Sequence, residues 1–421
     1  MKLQSKLALG TAVALMGLMG VAQAETTVRV MGIEPNDPYE KTINQEVVDA
    51  YEAENPDTKI TIEYLENSAF KSKLPTVLQS NKRPDLYWSW AGGVLQEQAR
   101  NGVTQNITDQ VKATFDETLP KGAVQAFSYQ GDIVGAPSKV SLIVLWYNKS
   151  LAEEAGVDVS QIKTWDDFLA AVETAKGAGV TPIVAGGKDK FPLHFYVAYL
   201  AERIMGTDGL AAARAGEDGG FTNPDFVKAL EEFKLLADLA PFQNGFASAT
   251  FSKESGMFGD GQALFELAGQ WNYSTQKANS ASGEGLPEAD LGMMAFPAYP
   301  GGKGDPSDVL GGINGWVVTK DAPKEAVDFL KYWVSKPVEE KYAAAGQWIP
   351  IAKGAGEALT NPFFQEVSQM SADAANMQLY LDQAFGPNLG GAVNDISADL
   401  AVGAITPEEA AQTLEDYREM E

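Results

Sequence analysis

Strand-like and helix-like segments alternate along the chain from residue 27 onward, and this alternation restricts the fold more than any other feature. Residues 27–31 form a short run rich in β-branched side chains, and residues 40–55 follow with apolar side chains at helical spacing. Residues 59–64 then predict a second strand, and residues 70–79 a second helix. This order indicates a mostly parallel sheet with helices on both faces, so we expect an α/β fold.

Two later changes of pattern divide the chain. Residues 133–148 form a long strand-like run interrupted by Pro137, and a second series of strands and helices begins after it. Residues 293–316 are rich in loops, and the chain then returns to a strand and a helix. A chain of 421 residues is too long for one ordinary core, so we expect two lobes. The expected N-terminal lobe comprises residues 25–137 and 297–334, and the expected C-terminal lobe comprises residues 138–296 and 335–421.

The first 24 residues have the pattern of a secretory signal peptide. Lys2 and Lys6 precede a largely apolar run over residues 7–21, and Ala22 and Ala24 form an A-x-A cleavage signal. We therefore expect cleavage after Ala24 and a mature protein in the periplasm. The chain has no cysteine for lipid attachment and no later continuous apolar run of about 18 residues, so we expect no membrane insertion.

Composition argues against several classes of function. A formal net charge of −25 argues against nucleic acid and anionic membranes as partners, since both require patches of lysine and arginine. The absence of cysteine excludes disulfides and thiolate chemistry, and a single histidine argues against a zinc or iron site. We expect no metal and no cofactor, with an all-oxygen calcium site as the open alternative. The G-x-S-x-G, H-E-x-x-H and P-loop motifs are missing, so we do not expect an enzyme.

Three loops combine polar and aromatic side chains where a ligand is expected. In open parallel sheets, ligands bind beyond the carboxyl ends of the strands. The period of two along a strand predicts that the two tryptophans of the second loop share one side. The candidates are Glu34, Asn36 and Asp37 in the first loop, Trp88, Ser89 and Trp90 in the second, and Gly312, Asn314 and Trp316 in the third.

This mixture of side chains suits a sugar. A pyranose has two weakly apolar faces that match aromatic rings, and a rim of hydroxyls that match carboxylates, amides and amines. A buried hydroxyl without a partner costs about 1–3 kcal/mol, so the polar groups set specificity while the rings supply contact area.

Several sequence blocks together resemble the family 1 extracellular solute-binding proteins, which are the receptor subunits of ABC sugar importers. The blocks are "PDLYWSWAGG" at 84–93, "VGAPSKVSLIVLWYNKSLAEEAGV" at 134–157, "FELAGQWNY" at 265–273, "DPSDVLGGINGWVVTKDAP" at 305–323, "AAAGQWIP" at 343–350 and "LYLDQAFGP" at 379–387. The resemblance is to maltodextrin-binding and other oligosaccharide-binding proteins. It implies the type II periplasmic binding protein fold, with a ligand cleft between two lobes that crossing segments join.

The resemblance adds further candidate residues. Trp271 and Trp348 each follow a Gly-Gln pair, and tryptophans at corresponding places in sugar-binding relatives stack on the ligand. The remaining candidates are polar: Gln270, Lys139, Lys188, Asp189, and Asp382 with its neighbour Gln383. Lys139 could donate to sugar hydroxyls or pair with an acid, and His194 could contact ligand or lie in the core. We expect Trp146, Trp165 and Trp333 to be core residues.

We therefore expect a monomeric periplasmic receptor that captures a sugar, most simply a di- or oligosaccharide, and delivers it to an ABC transporter permease. The lobes should close on the sugar by hinge bending, and no bond should break. The alternatives are the same fold binding a polyamine or a glycerol phosphodiester, a secreted glycosidase, and a structural or adhesive envelope protein.

Overall fold

The computed structural model describes residues 25–35 and 37–420. The expected signal peptide and its cleavage site lie outside the described residues, and so does the candidate Asn36. Within the described part of the chain, no helix has the length and apolar character needed to cross a membrane.

The elements alternate at first as the sequence predicts, and the C-terminal part is mostly helical. The strands are β1 (Thr26–Ile33), β2 (Thr58–Leu65), β3 (Leu86–Ser89), β4 (Ser128–Tyr129), β5 (Asp132–Ile133), β6 (Gly135–Asn148), β7 (Phe265–Gly269), β8 (Leu291–Met294), β9 (Val309–Val318), β10 (Ile349–Pro350) and β11 (Met377–Leu379). The helices of the first half are α1 (Pro38–Glu54), α2 (Asn67–Leu78), α3 (Gly92–Arg100), α4 (Thr108–Thr118), α5 (Lys121–Ala126), α6 (Lys149–Ala155), α7 (Trp165–Gly177) and α8 (Phe191–Ala215). The later helices are α9 (Pro224–Asp238), α10 (Phe251–Gly259), α11 (Asn272–Asn279), α12 (Lys324–Trp333), α13 (Lys336–Ala344), α14 (Pro362–Asp373), α15 (Leu381–Ala384), α16 (Pro387–Ala401) and α17 (Pro407–Glu419).

Two long antiparallel strands, β6 and β9, join the two halves of the molecule. The N-terminal half of β6, from Gly135 to Leu142, pairs with β9. From Ile143 onward β6 pairs with β7 and β8 instead. Along its other edge, the C-terminal end of β9 pairs with β3, which continues the sheet through β1 to β2 in parallel order. Each long strand therefore has one end in each half, which is the crossing arrangement expected from the sequence.

Separate hydrophobic cores lie on the two sides of these crossing strands. The first core packs α1, α2, α4 and α12 around β1 and β3. The second core packs α7, α8, α9, α16 and α17, and a smaller third cluster lies beside it between β6, β8 and α14. Tyr342, Trp348 and Ala355 belong to the first core, although they follow residue 335. The predicted α/β fold is confirmed.

Local sequence signals account for many element ends. Thr164 and Thr406 begin α7 and α17 as capping boxes, in which the threonine side chain and the acid three residues later satisfy each other's backbone N–H groups. Trp146, Trp165 and Trp333 are fully buried, as predicted for core residues.

Glu339 on α13 is a buried acid that fixes the chain segment around β10. Its Oε2 accepts hydrogen bonds from the backbone N–H groups of Ile351 at 2.7 Å and Ala352 at 2.6 Å. Burial raises the pKa of Glu339 to about 8, because these two bonds offset only part of the desolvation. The carboxyl is therefore mostly protonated at neutral pH.

We predict that Glu339→Gln becomes progressively more stabilising, relative to wild type, as the pH rises. The carboxyl of the unfolded chain ionises above about pH 4.5, whereas that of the folded chain ionises near pH 8, so wild-type stability falls between these values and the glutamine does not titrate. Urea unfolding of both proteins at pH 5 and pH 8 measures the difference. Glu339→Leu is the control: it does not titrate either, so its stability should follow that of Glu339→Gln in parallel at both pH values but lie about 1–3 kcal/mol lower, because two N–H groups lose their acceptor. An equal stability difference at both pH values between Glu339→Gln and wild type would contradict the prediction.

Candidate functional site

A cleft lies between the first and second cores. The first-core side contributes side chains from α2 and from the turn after β3, and the second-core side contributes α8, the start of α11 and the segment after β11. The lining residues are Asn67, Lys71, Trp90, Phe191, His194, Phe195, Trp271, Tyr380, Asp382 and Gln383. The cleft is therefore built by both halves of the molecule.

An ion pair crosses this cleft from one core to the other. Lys71 Nζ donates to Asp382 Oδ2 at 3.0 Å, and its ammonium also lies 5.1 Å from the ring centre of Trp90 and 5.6 Å from that of Phe191. Burial is the largest single influence and would by itself raise the pKa of Asp382, but the charge and hydrogen bond of Lys71, together with His194 and a hydrogen bond from Gln383, outweigh it, and the pKa falls to about 2. Asp382 is thus ionised, and its charge is balanced before any ligand arrives.

His194 lies beside this pair in the first turn of α8. Its Nδ1 is 2.7 Å from the carbonyl oxygen of Phe191, and its Nε2 is 4.0 Å from Asp382 Oδ1. Burial lowers the pKa of His194, more than the Asp382 carboxylate raises it. The imidazole is therefore neutral at pH 7.

Two half-buried tryptophans bring flat rings into the cleft from opposite sides. Trp90 packs edge to face against Phe70 of the first core, and Trp271 packs edge to face against Tyr380 of the second. A β-carbon at Gly269 would lie 2.0 Å from the Trp271 ring, so the glycine of the Gly-Gln-Trp sequence allows the ring to fold over β7. Gln270 anchors the same turn, since it accepts from the Leu142 N–H at 3.0 Å.

Lys139 lies nearby on β6, inside the first core rather than in the lining of the cleft. Its Nζ is 3.7 Å from Glu40 Oε1 and lies over the rings of Trp88 and Trp348. Burial lowers the pKa of Lys139, and Glu40 partly opposes this shift. Of the two roles considered for Lys139, the structure shows the pairing with an acid.

Three of the candidate tryptophans lie in the first core instead of facing the cleft. Trp88 is 3% exposed, Trp316 4% and Trp348 1%. Trp316 stacks on Trp333, and Trp348 stacks on Tyr342 with ring centres 3.7 Å apart. These rings build the wall behind Trp90 and Lys139.

Three further candidates lie in the buried backbone of the crossing region. Ser89 accepts a hydrogen bond from the Ala91 N–H, Asn314 donates to Ser141 Oγ at 2.8 Å, and Gly312 pairs with Ser141 in the sheet. They shape the strands without lining the cleft.

The remaining candidates lie in loops outside the cleft. Glu34 pairs with Lys41, Lys188 is exposed, and Asp189 accepts from the Phe251 N–H at 2.8 Å. Asp37 caps α1 and lines a second, wider crevice.

Sequence reasoning missed Asn67, Lys71, Phe191, Phe195 and Tyr380. The argument that made Asp37 a candidate, its position at the start of a helix that follows a parallel strand, applies equally to Asn67 and Lys71. These two residues are one helical turn apart at the start of the helix that follows β2. No group of three or more potential metal-ligating acids or histidines occurs among the described residues.

Comparisons with known proteins identify the family and the fold of the chain. The family model for the bacterial extracellular solute-binding protein matches residues 36–340. An ABC transporter extracellular-binding protein of Pyrococcus horikoshii is 26% identical over 54% of the chain, and the match spans about half of that relative (50%). The multiple sugar-binding protein of Streptococcus mutans is 23% identical over 76% of the chain and 74% of its own length. The solved chitin oligosaccharide binding protein superposes with a TM-score of 0.85 at 22% identity, covering 94% of this chain and 98% of that one. The last likeness identifies the two-lobe fold.

We predict that Lys71→Met removes a pH-dependent part of the stability. The pKa of Asp382 is about 2 in the folded protein and 3.8 in a free side chain, so its pairing adds about 2 kcal/mol above pH 4, and this is lost as the pH falls toward 2. Urea unfolding at pH 6 and pH 3 should show a larger loss at pH 6 for Lys71→Met. The same substitution made in an Asp382→Asn background should show little dependence on pH. A loss of equal size in both backgrounds would contradict the prediction.

Proposed function

Because the chain belongs to the bacterial extracellular solute-binding protein family, we propose that it captures a di- or oligosaccharide in the cleft and delivers it to the permease of an ABC importer. We further propose that it works as a monomer in the periplasm after its signal peptide is removed after Ala24. The names of its relatives, an ABC transporter binding protein and a multiple sugar-binding protein, support this assignment.

The pairing of two tryptophan rings from opposite sides of the cleft is the observation that carries the proposal. Trp90 belongs to the first side and Trp271 to the second, and both rings are only half buried. Polar groups of Lys71, His194 and Asp382 line the same cleft. Rings for the faces of a pyranose and polar groups for its rim are what a sugar site requires.

Lobe closure is the proposed mode of capture. Lys71 packs with the first core and Asp382 with the second, so their ion pair forms only when the two sides approach. We propose a first lobe of residues 25–137 and 297–334 and a second lobe of residues 138–296 and 335–421. The packing of residues 338–355 against the first core favours the first lobe for that segment. Hinge bending would then take place at β6 and β9, the strands with one end in each half.

The charge balance of the cleft favours a neutral ligand over the non-sugar alternatives. A polyamine needs unpaired carboxylates, and a phosphodiester needs unpaired cations or free N–H groups. Here Lys71 and Asp382 neutralise each other, at 3.0 Å. A neutral sugar needs no unpaired charge in its site, so it suits this cleft better than either charged ligand.

The described lining of the cleft also lacks the pair of acids that a glycosidase uses. Such enzymes place two carboxyl groups about 5–9.5 Å apart across the scissile bond. Among the described lining residues Asp382 is the one acid, and its low pKa makes it a poor proton donor. We propose that the bound sugar leaves unchanged.

A thermal-shift screen with mono-, di- and trisaccharides, polyamines and glycerol phosphodiesters tests the proposed ligand class. A ligand at 100 times its dissociation constant adds about 2.7 kcal/mol to the stability of the folded protein. We expect a rise in melting temperature with one series of sugars. A rise in melting temperature with only a charged ligand would contradict the proposal of a sugar ligand and leave the assignment of the fold unchanged.

Trp271→Ala should weaken binding of the sugar found in this screen by about 2 kcal/mol or more, because a large ring in the cleft would lose its contact with the ligand. Tyr417→Ala, on the half-exposed face of α17, is the matched control and should bind normally. Isothermal titration calorimetry measures both. Unchanged affinity in folded Trp271→Ala would remove this ring from the site.

A further inference from the structure

Two hydrogen-bond acceptors, His194 Nε2 and Asp382 Oδ1, lie 4.0 Å apart in the cleft. The Phe191 carbonyl can only accept, so Nδ1 of His194, at 2.7 Å, carries the imidazole proton. The lone pair is therefore on Nε2, which is buried and has no hydrogen-bond partner among the described residues. Asp382 Oδ1, itself an acceptor, lies 4.0 Å away. A buried acceptor left in this state is costly, and a ligand with donors would satisfy it.

The charged and titratable groups around the imidazole keep it neutral. Asp382 on α15 favours the imidazolium, whereas burial and Lys71 on α2 oppose it, and the net effect lowers the pKa of His194. Tyr380, before α15, is the other titratable neighbour in the cleft, and burial raises its pKa well above 10, so it stays neutral. At neutral pH the cleft thus offers one neutral acceptor and one ionised acceptor.

The chemistry that fits two acceptors 4.0 Å apart is a pair of neighbouring donors. A single hydroxyl has one hydrogen and can satisfy one of them, whereas two hydroxyls on adjacent ring carbons can donate one hydrogen to each. The Lys71 ammonium, which also contacts Asp382, has hydrogens left to donate to the oxygens of such a diol. Trp90 and Trp271 would hold the faces of the same ring.

We propose that His194 Nε2 and Asp382 Oδ1 accept hydrogen bonds from two adjacent hydroxyls of the bound sugar, and that protonation of His194 expels that sugar. This inference rests on the proposed function, because it assigns a role to one group within the same cleft. A protonated His194 would direct its Nε2–H at Asp382, so both acceptors would be lost to the ligand.

The direction of the pH effect follows from linkage. The sugar binds the neutral imidazole, so binding lowers the pKa of His194 further, and affinity falls as the pH drops below the pKa of the unliganded form. That pKa lies below the ordinary 6.5 of histidine. One proton is taken up for each sugar released, so the dissociation constant rises at most tenfold per pH unit.

Nuclear magnetic resonance of the protein labelled with ¹⁵N-histidine tests this directly, because His194 is the single histidine of the chain. We expect the Nδ1–H tautomer at neutral pH. Addition of the sugar found in the screen should shift the Nε2 resonance upfield, as an accepted hydrogen bond does, and should lower the pKa of His194. Unchanged Nε2 shift and pKa in the presence of saturating sugar would overturn the inference while leaving the proposed function intact. If no sugar binds, the inference and the proposed function are both contradicted.

Calorimetry from pH 7.5 to pH 5 supplies the second measurement. Wild-type affinity should fall with acidity, and His194→Gln, whose side chain accepts a hydrogen bond without titrating, should bind with a flatter pH profile. Trp271→Ala should bind more weakly at every pH but keep the wild-type slope. Deoxy sugars that lack one of the two hydroxyls should bind at least tenfold more weakly. Affinity that is independent of pH in the wild type, or binding of an amino sugar that strengthens with acidity, would overturn the assignment.

Discussion

The antiparallel pairing of β6 with β9 is the contact on which the rest of the molecule depends. The two strands approach so closely that a β-carbon at Gly315 would lie 2.0 Å from the Ala136 carbonyl oxygen, and glycine alone fits there. One end of each strand packs in the first core, and the other end packs with the second and third clusters. The cleft residues are attached to elements that these strands hold in place, including β3, β7 and β11. Any relative motion of the two cores must therefore bend this pair.

The buried charges of the cleft region are arranged as close pairs. Lys139 lies 3.7 Å from Glu40 in the first core, and Lys71 lies 3.0 Å from Asp382 across the cleft. A buried charge without a partner would be strongly unfavourable, so each lysine offsets the charge of the acid beside it. The result is a polar cleft that is locally neutral within a chain of formal net charge −25. The surface charge therefore says little about the ligand.

Local patterns in the sequence predicted the alternation of β1, α1, β2 and α2 and the burial of Trp146. They failed where pairing between distant strands decides burial. Trp88 lies opposite Trp316 in the register of β3 with β9, and the two rings cover each other. Nothing within either segment reveals this pairing. Trp90 is not buried by this strand pairing, because β3 ends at Ser89 and the backbone turns at Ala91 with a φ of 58°.

Lys71 shows the same limit of prediction from sequence, because its position in the cleft also depends on a distant partner. Its helix follows β2, which lies at the outer end of the sheet order, and the residue reaches the cleft only because α15 approaches from the second core. Sequence could place Lys71 at the start of a helix, but the partner Asp382 is 311 residues away.

The ion pair and the tryptophan rings have different consequences for closure. A ligand shifts the balance between open and closed forms only by its differential affinity for them. In the proposed mode of capture, the Lys71–Asp382 pair forms between protein groups, so it would stabilise the closed form with or without ligand. Trp90 and Trp271 would contact a shared ligand only when both sides enclose it, and Nε2 of His194, which has no hydrogen-bond partner among the described residues, would then gain its donor. Closure would therefore depend on the ligand through the rings and the imidazole, while the ion pair would set how far the empty protein is already biased toward it.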